Sequence, residues 1–301
     1  MSDPISFDGR VAIVTGAGGG LGRSYAEELG RRGASVVVND LGGAVDGTGG
    51  GHRAADVVVE AIREAGGEAV ATYDSVATPE GGAAIVETAI ATFGRVDILV
   101  NNAGILRDKS FANMTFDEVE AVFDVHLRGA FHVSQPAFVE MKEQGYGRLV
   151  FTSSNAGILG NFGQANYGAA KMGLVGLSNV LAIEGAKYNI ASNVIAPVAR
   201  TRMTEELLGP LVALVDPDQV MPMVVYLCSE QNPYTHEIFS AAGGRYARFF
   251  IGASTGWFAG AKVVPTVEEI ADHIDEIRDI EDHQLFGSIG DELQLLGKML
   301  S

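Results

Sequence analysis

Cysteine is almost missing from this 301-residue chain: Cys228 stands alone, which excludes an internal disulfide and fits a reducing compartment. Positive charge is scarce too, with 21 Lys and Arg against 38 Asp and Glu and a formal net charge of -17. Without a basic excess nothing can displace counterions from a phosphate backbone, so nucleic acid is excluded as a partner. No apolar run approaches the roughly 20 residues of a membrane span, and the opening Met-Ser-Asp-Pro carries neither a basic nor an apolar stretch. Membrane insertion is not expected. The final Met299-Leu300-Ser301 differs from a Ser-Lys-Leu address, and the expected location is cytoplasmic. No metal site is expected. Much of the negative charge sits in the tail, where Glu268, Glu269, Asp272, Asp275, Glu276, Asp279, Glu281, Asp282, Asp291 and Glu292 face only Arg278 and Lys298. Such a run reads either as a solvated helix face or as an interaction surface.

Glycine, by contrast, is abundant (39 residues), as expected where strands and helices alternate through short turns. Hydrophobic residues make up 47% of the chain, enough for one large core. β-rich runs recur at Val11–Thr15, Ser35–Asn39, Ala69–Tyr73, Val96–Val100, Arg148–Thr152 and Ile190–Ala196. Between them lie helical stripes such as Ile85, Val86, Ala89, Ile90 and Phe93. Helix starts are marked by Thr78-Pro79, by the capping box Thr115/Glu118 and by Asp216-Pro217. This alternation predicts an α/β fold: a Rossmann-type doubly wound parallel sheet in a single domain, residues 1–244. A C-terminal extension, 245–301, follows, with a strand-like stretch at Arg248–Ile251 and a helix capped by Thr266 and Glu269. Its apolar stripe, Val267, Ile270, Ile274 and Ile277, predicts docking on the core or on a partner subunit. The glycine-rich stretch Gly42–Gly51 reads as a loop beside a ligand rather than a domain linker.

The chemistry-bearing motifs fall at strand ends. After the first strand comes Thr15-Gly16-Ala17-Gly18-Gly19-Gly20-Leu21-Gly22, whose glycines would let backbone approach a pyrophosphate held at a helix N-terminus. About 20 residues on, Asp40 can accept hydrogen bonds from an adenosine ribose and would repel a 2′-phosphate, which favours NAD over NADP. Asp74, Ser75 and Val76 fall where adenine should lie, although Asp74 reads equally well as a turn residue. Asn101-Asn102-Ala103-Gly104 reaches the carboxyl edge of the sheet, where open α/β folds bind ligands. Ser154, just past a strand, is followed by Tyr167 and Lys171, four apart and so on one helix face. The spacing predicts that the ammonium lowers the phenol toward neutrality and makes Tyr167 a proton donor or acceptor.

In this order the motifs resemble the short-chain dehydrogenase/reductase family, with its Thr-Gly-x-x-x-Gly-x-Gly, Asn-Asn-Ala-Gly and Ser…Tyr-x-x-x-Lys, across roughly residues 8 to 244. The resemblance implies a nicotinamide-dependent oxidoreductase acting on a secondary alcohol. Its catalytic residues would be Ser154 orienting the substrate oxygen, Tyr167 as acid/base and Lys171 binding ribose. Cofactor contacts would come from Gly16, Gly20, Leu21, Gly22, Asp40, Asp74, Ser75, Val76, Asn102, Ala103, Gly104, Tyr167, Lys171, Pro197 and Thr201. Two positions depart from the family pattern. His126 replaces the asparagine that is its fourth catalytic residue, open to a water-mediated proton relay or a structural role. Pro197-Val198 replaces Pro-Gly, and Thr201 sits one position early.

Val38-Asn39-Asp40-Leu41-Gly42-Gly43, Val125-His126-Leu127-Arg128-Gly129 and Gly160-Asn161-Phe162-Gly163-Gln164-Ala165-Asn166-Tyr167 resemble the (3R)-hydroxyacyl-CoA dehydrogenases of that family, a group also known for 17-beta-hydroxysteroid oxidation. The implied substrate is an acyl-CoA, with a steroid as alternative, and the implied protein is a stand-alone dehydrogenase. Arg200, Arg202, Arg245 and Arg248 could meet CoA phosphates or be ordinary surface arginines. A homo-oligomer, at least a dimer, is implied, pairing through residues 115–145 and 164–187. A non-catalytic nucleotide-binding protein on the same fold is the competing class.

Overall fold

β1 (Val11–Thr15) and β2 (Ser35–Asn39) consist almost wholly of buried valine, alanine and isoleucine, the composition of strands covered on both faces. The computed structural model describes residues 4–201, 204 and 209–300. It continues with β3 (Glu68–Thr72), β4 (Ile98–Asn101), β5 (Gly147–Thr152), β6 (Ile190–Val198), β7 (Ile238–Ala242) and β8 (Arg245–Phe249) in one sheet of order β3-β2-β1-β4-β5-β6-β7-β8. Every resolved pairing from β3 to β7 is parallel. β8 returns from β7 through Gly243-Gly244, at φ +53° and +81°, a two-residue connection that only a hairpin can use.

Helices cover both faces: α1 (Gly20–Arg31), α2 (Arg53–Glu64), α3 (Pro79–Phe93), α4 (Phe116–Phe123), α5 (Gly129–Gln144), α6 (Asn155–Leu159), α7 (Ala165–Gly185) and α8 (Met221–Cys228). The expected start signals act as read. Thr78 accepts from the Gly81 amide with Pro79 at the first position, and Thr115 and Glu118 close a capping box. Asp216 also caps, but over a short 3-10 turn, Pro217–Gln219, and α8 starts only at Met221. The strand expected at Arg248–Ile251 begins at Arg245, because the glycine pair completes the turn early. The strand order reverses between β1 and β4, which opens a crevice at their carboxyl ends.

At the opposite edge of the sheet, Asp97 is fully buried and fully used. It accepts from the Val11 amide at 2.9 Å, from Arg10 at 2.9 Å and from Arg95 through two bonds of 2.7 and 2.6 Å. Arg10 also lies 3.7 Å over the Tyr146 ring, so the start of β1, the approach to β4 and the end of α5 are tied together.

The chain divides into Met1–Arg248 and Phe249–Ser301. Within the second unit β9 (Ala253–Ser254) pairs antiparallel with β10 (His283–Gln284). The helix expected after Thr266 is broken at His273 into α9 (Val267–Asp272) and α10 (Ile274–Arg278), and His273 stacks on Trp257 at 4.0 Å. α11 (Ile289–Leu300) ends the unit. Among the described residues no helix is long and apolar enough to cross a membrane, and no group of three or more His, Cys, Asp and Glu is placed to hold a metal.

Candidate active site

The crevice between the ends of β1 and β4 widens into a cleft of about 500 Å³. Its floor is the glycine turn. Gly16 takes φ +63°, and a Cβ there would stand 2.8 Å from the Ala103 Cα, so only glycine allows this approach. Gly19 caps α1 without any side chain, which leaves the first amides of that helix free to meet an anion. Gly20 and Leu21 line the cleft. Gly22 does not: a Cβ there would fall 2.3 Å from the Gly16 carbonyl, so this glycine serves the packing of α1 behind the turn. Asn102 braces the same turn, donating from Nδ2 to the Thr15 and Gly16 carbonyls at 3.0 and 3.1 Å, while Thr15 Oγ1 accepts from the Asn102 and Ala103 amides. Gly104 lines the cleft beside them.

Asp40 follows β2 and lines the cleft. Its carboxylate accepts from the Gly18 amide at 2.7 Å and the Gly42 amide at 2.6 Å, with lone pairs left for hydroxyl donors. Asp74, Ser75 and Val76 lie one strand over, with Asp74 Oδ2 accepting from Thr72 at 2.5 Å. The turn role and the ligand-facing position of Asp74 therefore coexist. These residues fit a dinucleotide: a bare helix terminus for the pyrophosphate, a carboxylate for ribose hydroxyls, and an apolar edge at Val76.

Across the cleft stand Ser154, Tyr167 and Lys171. Ser154 caps α6, its Oγ accepting from the Ala156 amide at 3.1 Å and donating to Asn155 Oδ1 at 3.3 Å. Tyr167 enters on the first turn of α7, set by Asn166, whose Oδ1 accepts the Tyr167 amide at 2.7 Å and whose Nδ2 donates to the Arg107 and Glu118 carbonyls. Lys171, one turn later, is buried, donates to the Thr152 carbonyl at 2.6 Å and lies 5.5 Å from the Tyr167 ring centre.

His126 sits on a π-helical turn, Asp124–Arg128, which joins α4 to α5. Such turns carry one extra residue and commonly mark functional sites. Its Nε2 lies 3.0 Å from the Ile105 amide nitrogen and 2.8 Å from the Ile105 carbonyl, and its ring meets the Tyr167 ring edge-on at 5.2 Å. The imidazole thus packs Tyr167 against the segment that follows β4.

Pro197 and Thr201 line the cleft at the end of β6. Thr204 joins them, its Oγ1 accepting from the Thr201 amide at 2.9 Å and donating to the Ala199 carbonyl at 2.5 Å. Thr204 was not read from the sequence, although its spacing from Thr201 could have suggested the pair. Gln164 and Asn161, quoted in the motif before Tyr167 but not named as site residues, also line the cleft; the Gln164 amide donates to Asp108 at 2.6 Å and accepts from Asn161 at 2.9 Å. Of the four arginines offered to CoA, Arg200 pairs with Asp216 and Arg248 with Glu237, each at 3.3 Å. Arg245 is exposed, none of these three lines the cleft, and Arg202 lies outside the described residues.

The family model described as short chain dehydrogenase matches residues 10–209. The chain belongs to the short-chain dehydrogenase family. A short-chain type dehydrogenase/reductase of Mycobacterium tuberculosis is 50% identical over 279 residues, covering 92% of this chain and 97% of the relative. A hydroxyacyl-CoA dehydrogenase of the same organism is 40% identical over 241 residues, 74% of each chain. Among solved structures, full-length peroxisomal multifunctional enzyme type 2 from Drosophila melanogaster superposes with a TM-score of 0.81 at 41% identity, over 98% of this chain and 50% of that one. The chain spans about a third of the length of other peroxisomal relatives that it matches.

As a short-chain dehydrogenase the protein is an oxidoreductase, and burial governs the electrostatics of its site. Burial pushes the Tyr167 phenol up to about 12, with the Ser154 side chain pulling it partly back, and pushes Lys171 down to about 7. The expected lowering of Tyr167 by Lys171 is not the dominant effect among the protein's own groups, because the ammonium is spent on the Thr152 carbonyl and both groups are desolvated. His126 is held well below its ordinary value by burial and by the Lys171 charge, so it stands neutral.

A stability test follows with a definite sign. Between about pH 7 and Lys171's ordinary 10.5 the unfolded chain binds a proton that the folded chain has released, so stability rises with pH. The slope from this one group is at most about 1.4 kcal/mol per pH unit. Chemical denaturation from pH 7.5 to 8.5 should show a more positive slope in the native protein than in Lys171→Met, the buried Cys228 thiol, pushed up to about 12, contributing the opposite sign to both; equal slopes would refute the assignment.

Proposed function

We propose that this protein is an NAD-dependent dehydrogenase interconverting a (3R)-hydroxyacyl-CoA and its 3-ketoacyl-CoA. The observation that carries the reading is the meeting, in one cleft, of the Ser154, Tyr167 and Lys171 triad with the glycine turn and Asp40. In the oxidative direction Ser154 Oγ and the Tyr167 hydroxyl both face the substrate hydroxyl, Tyr167 takes its proton, and Lys171 holds positive charge beside the phenolate that forms. When bound, oxidised nicotinamide supplies the acceptor for the hydride leaving the same carbon. In the reverse direction a phenol pushed up to about 12 is fully protonated at neutrality, ready to donate to the carbonyl oxygen.

NAD rather than NADP is supported by Asp40, whose charge stands where a 2′-phosphate would have to sit. The acyl-CoA substrate is supported by the relatives, one of which is named a hydroxyacyl-CoA dehydrogenase. A cytoplasmic or otherwise reducing location is supported by the single buried cysteine. A homo-oligomer is supported by the apolar side chains Phe131, Val139, Val180 and Ile183, which stay exposed on α5 and α7.

A substrate panel tests the reading. Purified protein with NAD should produce NADH from (3R)-hydroxyacyl-CoA esters and much less product with NADP. Turnover of 17-beta-hydroxysteroids above that of every CoA ester would replace the substrate class, and no turnover of either would overturn the reading.

A further inference from the structure

The loop after β2 is not slack chain. Leu41 to Gly51 closes on itself, the Gly51 amide donating to the Leu41 carbonyl at 2.9 Å, and its tip is a built turn. There the Ala44 amide donates to Thr48, the Gly47 amide donates to Ala44, and Asp46 Oδ1 accepts both the Thr48 amide and its hydroxyl at 2.9 and 2.7 Å. Ends that meet and a tip that satisfies itself define a compact, self-bonded loop. Glycines flank the tip on both sides, with Gly42 and Gly49 each at φ +73°, in the left-handed region.

The tip is fastened across the cleft. The Leu106 amide donates to the Val45 carbonyl at 2.9 Å, Arg107 Nε donates to the Asp46 carbonyl at 3.1 Å, and Gly47 rests on Ile105. Gly43, Ala44, Val45 and Gly47 line the cleft from this side, and Ile105 and Leu106 from the other. The base of the loop is tied by its Gly42 amide to Asp40.

We propose that residues 41–51 are a strap that retains the nicotinamide cofactor, and that Arg107 is the positioning residue that keeps it latched. The proposal rests on the cofactor reading above. A dinucleotide held at both Asp40 and Tyr167 has the strap across it, so release requires the two latch bonds to break while the glycine hinges turn. Arg107 touches neither reacting group; it acts through the strap.

The test is NADH release, followed by stopped-flow fluorescence on the full chain, with hydrogen exchange at the Leu106 amide as a second readout. Arg107→Ala should raise the NADH dissociation rate about 2- to 13-fold, the range expected for one hydrogen bond, and speed Leu106 exchange. The melting temperature should stay within about 2 °C, as for a surface change. Arg107→Lys, which keeps a donor, should recover at least half of the effect. In the native chain NADH should slow Leu106 exchange, a readout that needs no variant. NADH binding with an unaltered release rate in Arg107→Ala would overturn the strap and leave the cofactor reading standing. Failure of the native chain to bind NADH would overturn both.

Discussion

Tyr167→Phe is expected to lower kcat by about 10²- to 10⁴-fold, the usual worth of a positioned acid/base. Affinity for NADH should change by no more than a few-fold. The substitution removes one oxygen and leaves the ring, which keeps its edge-on contact with His126 at 5.2 Å and its place above Lys171. The Asn166 side chain that fixes the start of α7 holds the Tyr167 backbone amide, not the phenol, so the helix should not shift. Steady-state kinetics on the best CoA ester, alongside NADH fluorescence titration, separates the two effects. A variant with near-native kcat would remove Tyr167 from the chemistry and point to Ser154 or to water as the proton carrier. A variant that also lost NADH binding would show instead that the phenol's main task is to hold the cofactor.

The second large effect falls on stability, at the other edge of the sheet. Asp97→Ala should cost about 1.5 to 3 kcal/mol, because it removes the buried carboxylate on which Arg10 and Arg95 converge, while Arg10 keeps Glu230 and Arg95 stays partly in water. Asp97 is wholly inaccessible and accepts from Arg10, Arg95 and the Val11 amide, so its loss also leaves a β1 backbone donor unpaired. The contrast is the exposed pair Arg23–Glu27 on α1, where both side chains are at least a third accessible. Breaking it with Glu27→Ala should cost less than about 1 kcal/mol. Urea denaturation of the three proteins measures both numbers. A loss below about 1 kcal/mol for Asp97→Ala would mean that the arginines find water or other acceptors, and that the cluster holds no strand in place.

Both sites show why some features could be read from sequence and others not. Tyr167, Lys171 and Ser154 were legible because helical spacing and a strand end fix their relation locally. The glycine turn was legible for the same reason, since a strand, a tight turn and a helix follow one another without interruption. Asp97 carried no such signal. Its partners Arg10 and the Val11 amide lie more than 80 residues away along the chain, and β1 and β4 become neighbours only when the sheet forms.

Cleft residues divide the same way. Gly16, Gly20, Leu21, Asp40, Asp74, Ser75, Val76, Asn102, Ala103, Gly104, His126, Ser154, Tyr167, Lys171, Pro197 and Thr201 all reach the cleft, and Gly22 alone lies behind it. A motif names positions but does not say which face each presents. Asn102 makes the same point: its side-chain amide is committed to the glycine turn, so its part is to brace that turn. β7 escaped notice because its apolar run is short, and α8 was announced only by Asp216-Pro217, which caps the 3-10 turn before it.

By itself the sequence determined the strand and helix alternation, the position of the glycine turn, the charge at Asp40 and the order of Ser154, Tyr167 and Lys171. These are local facts of spacing and residue type, settled within a turn of helix or a single strand. Only the tertiary structure decided that the loop at 41–51 is a strap fastened to Leu106 and Arg107, that His126 packs between Tyr167 and Ile105, and that burial outweighs Lys171 at Tyr167. Each of those depends on distance and desolvation between segments far apart in the chain, quantities that do not exist until the core has closed around them.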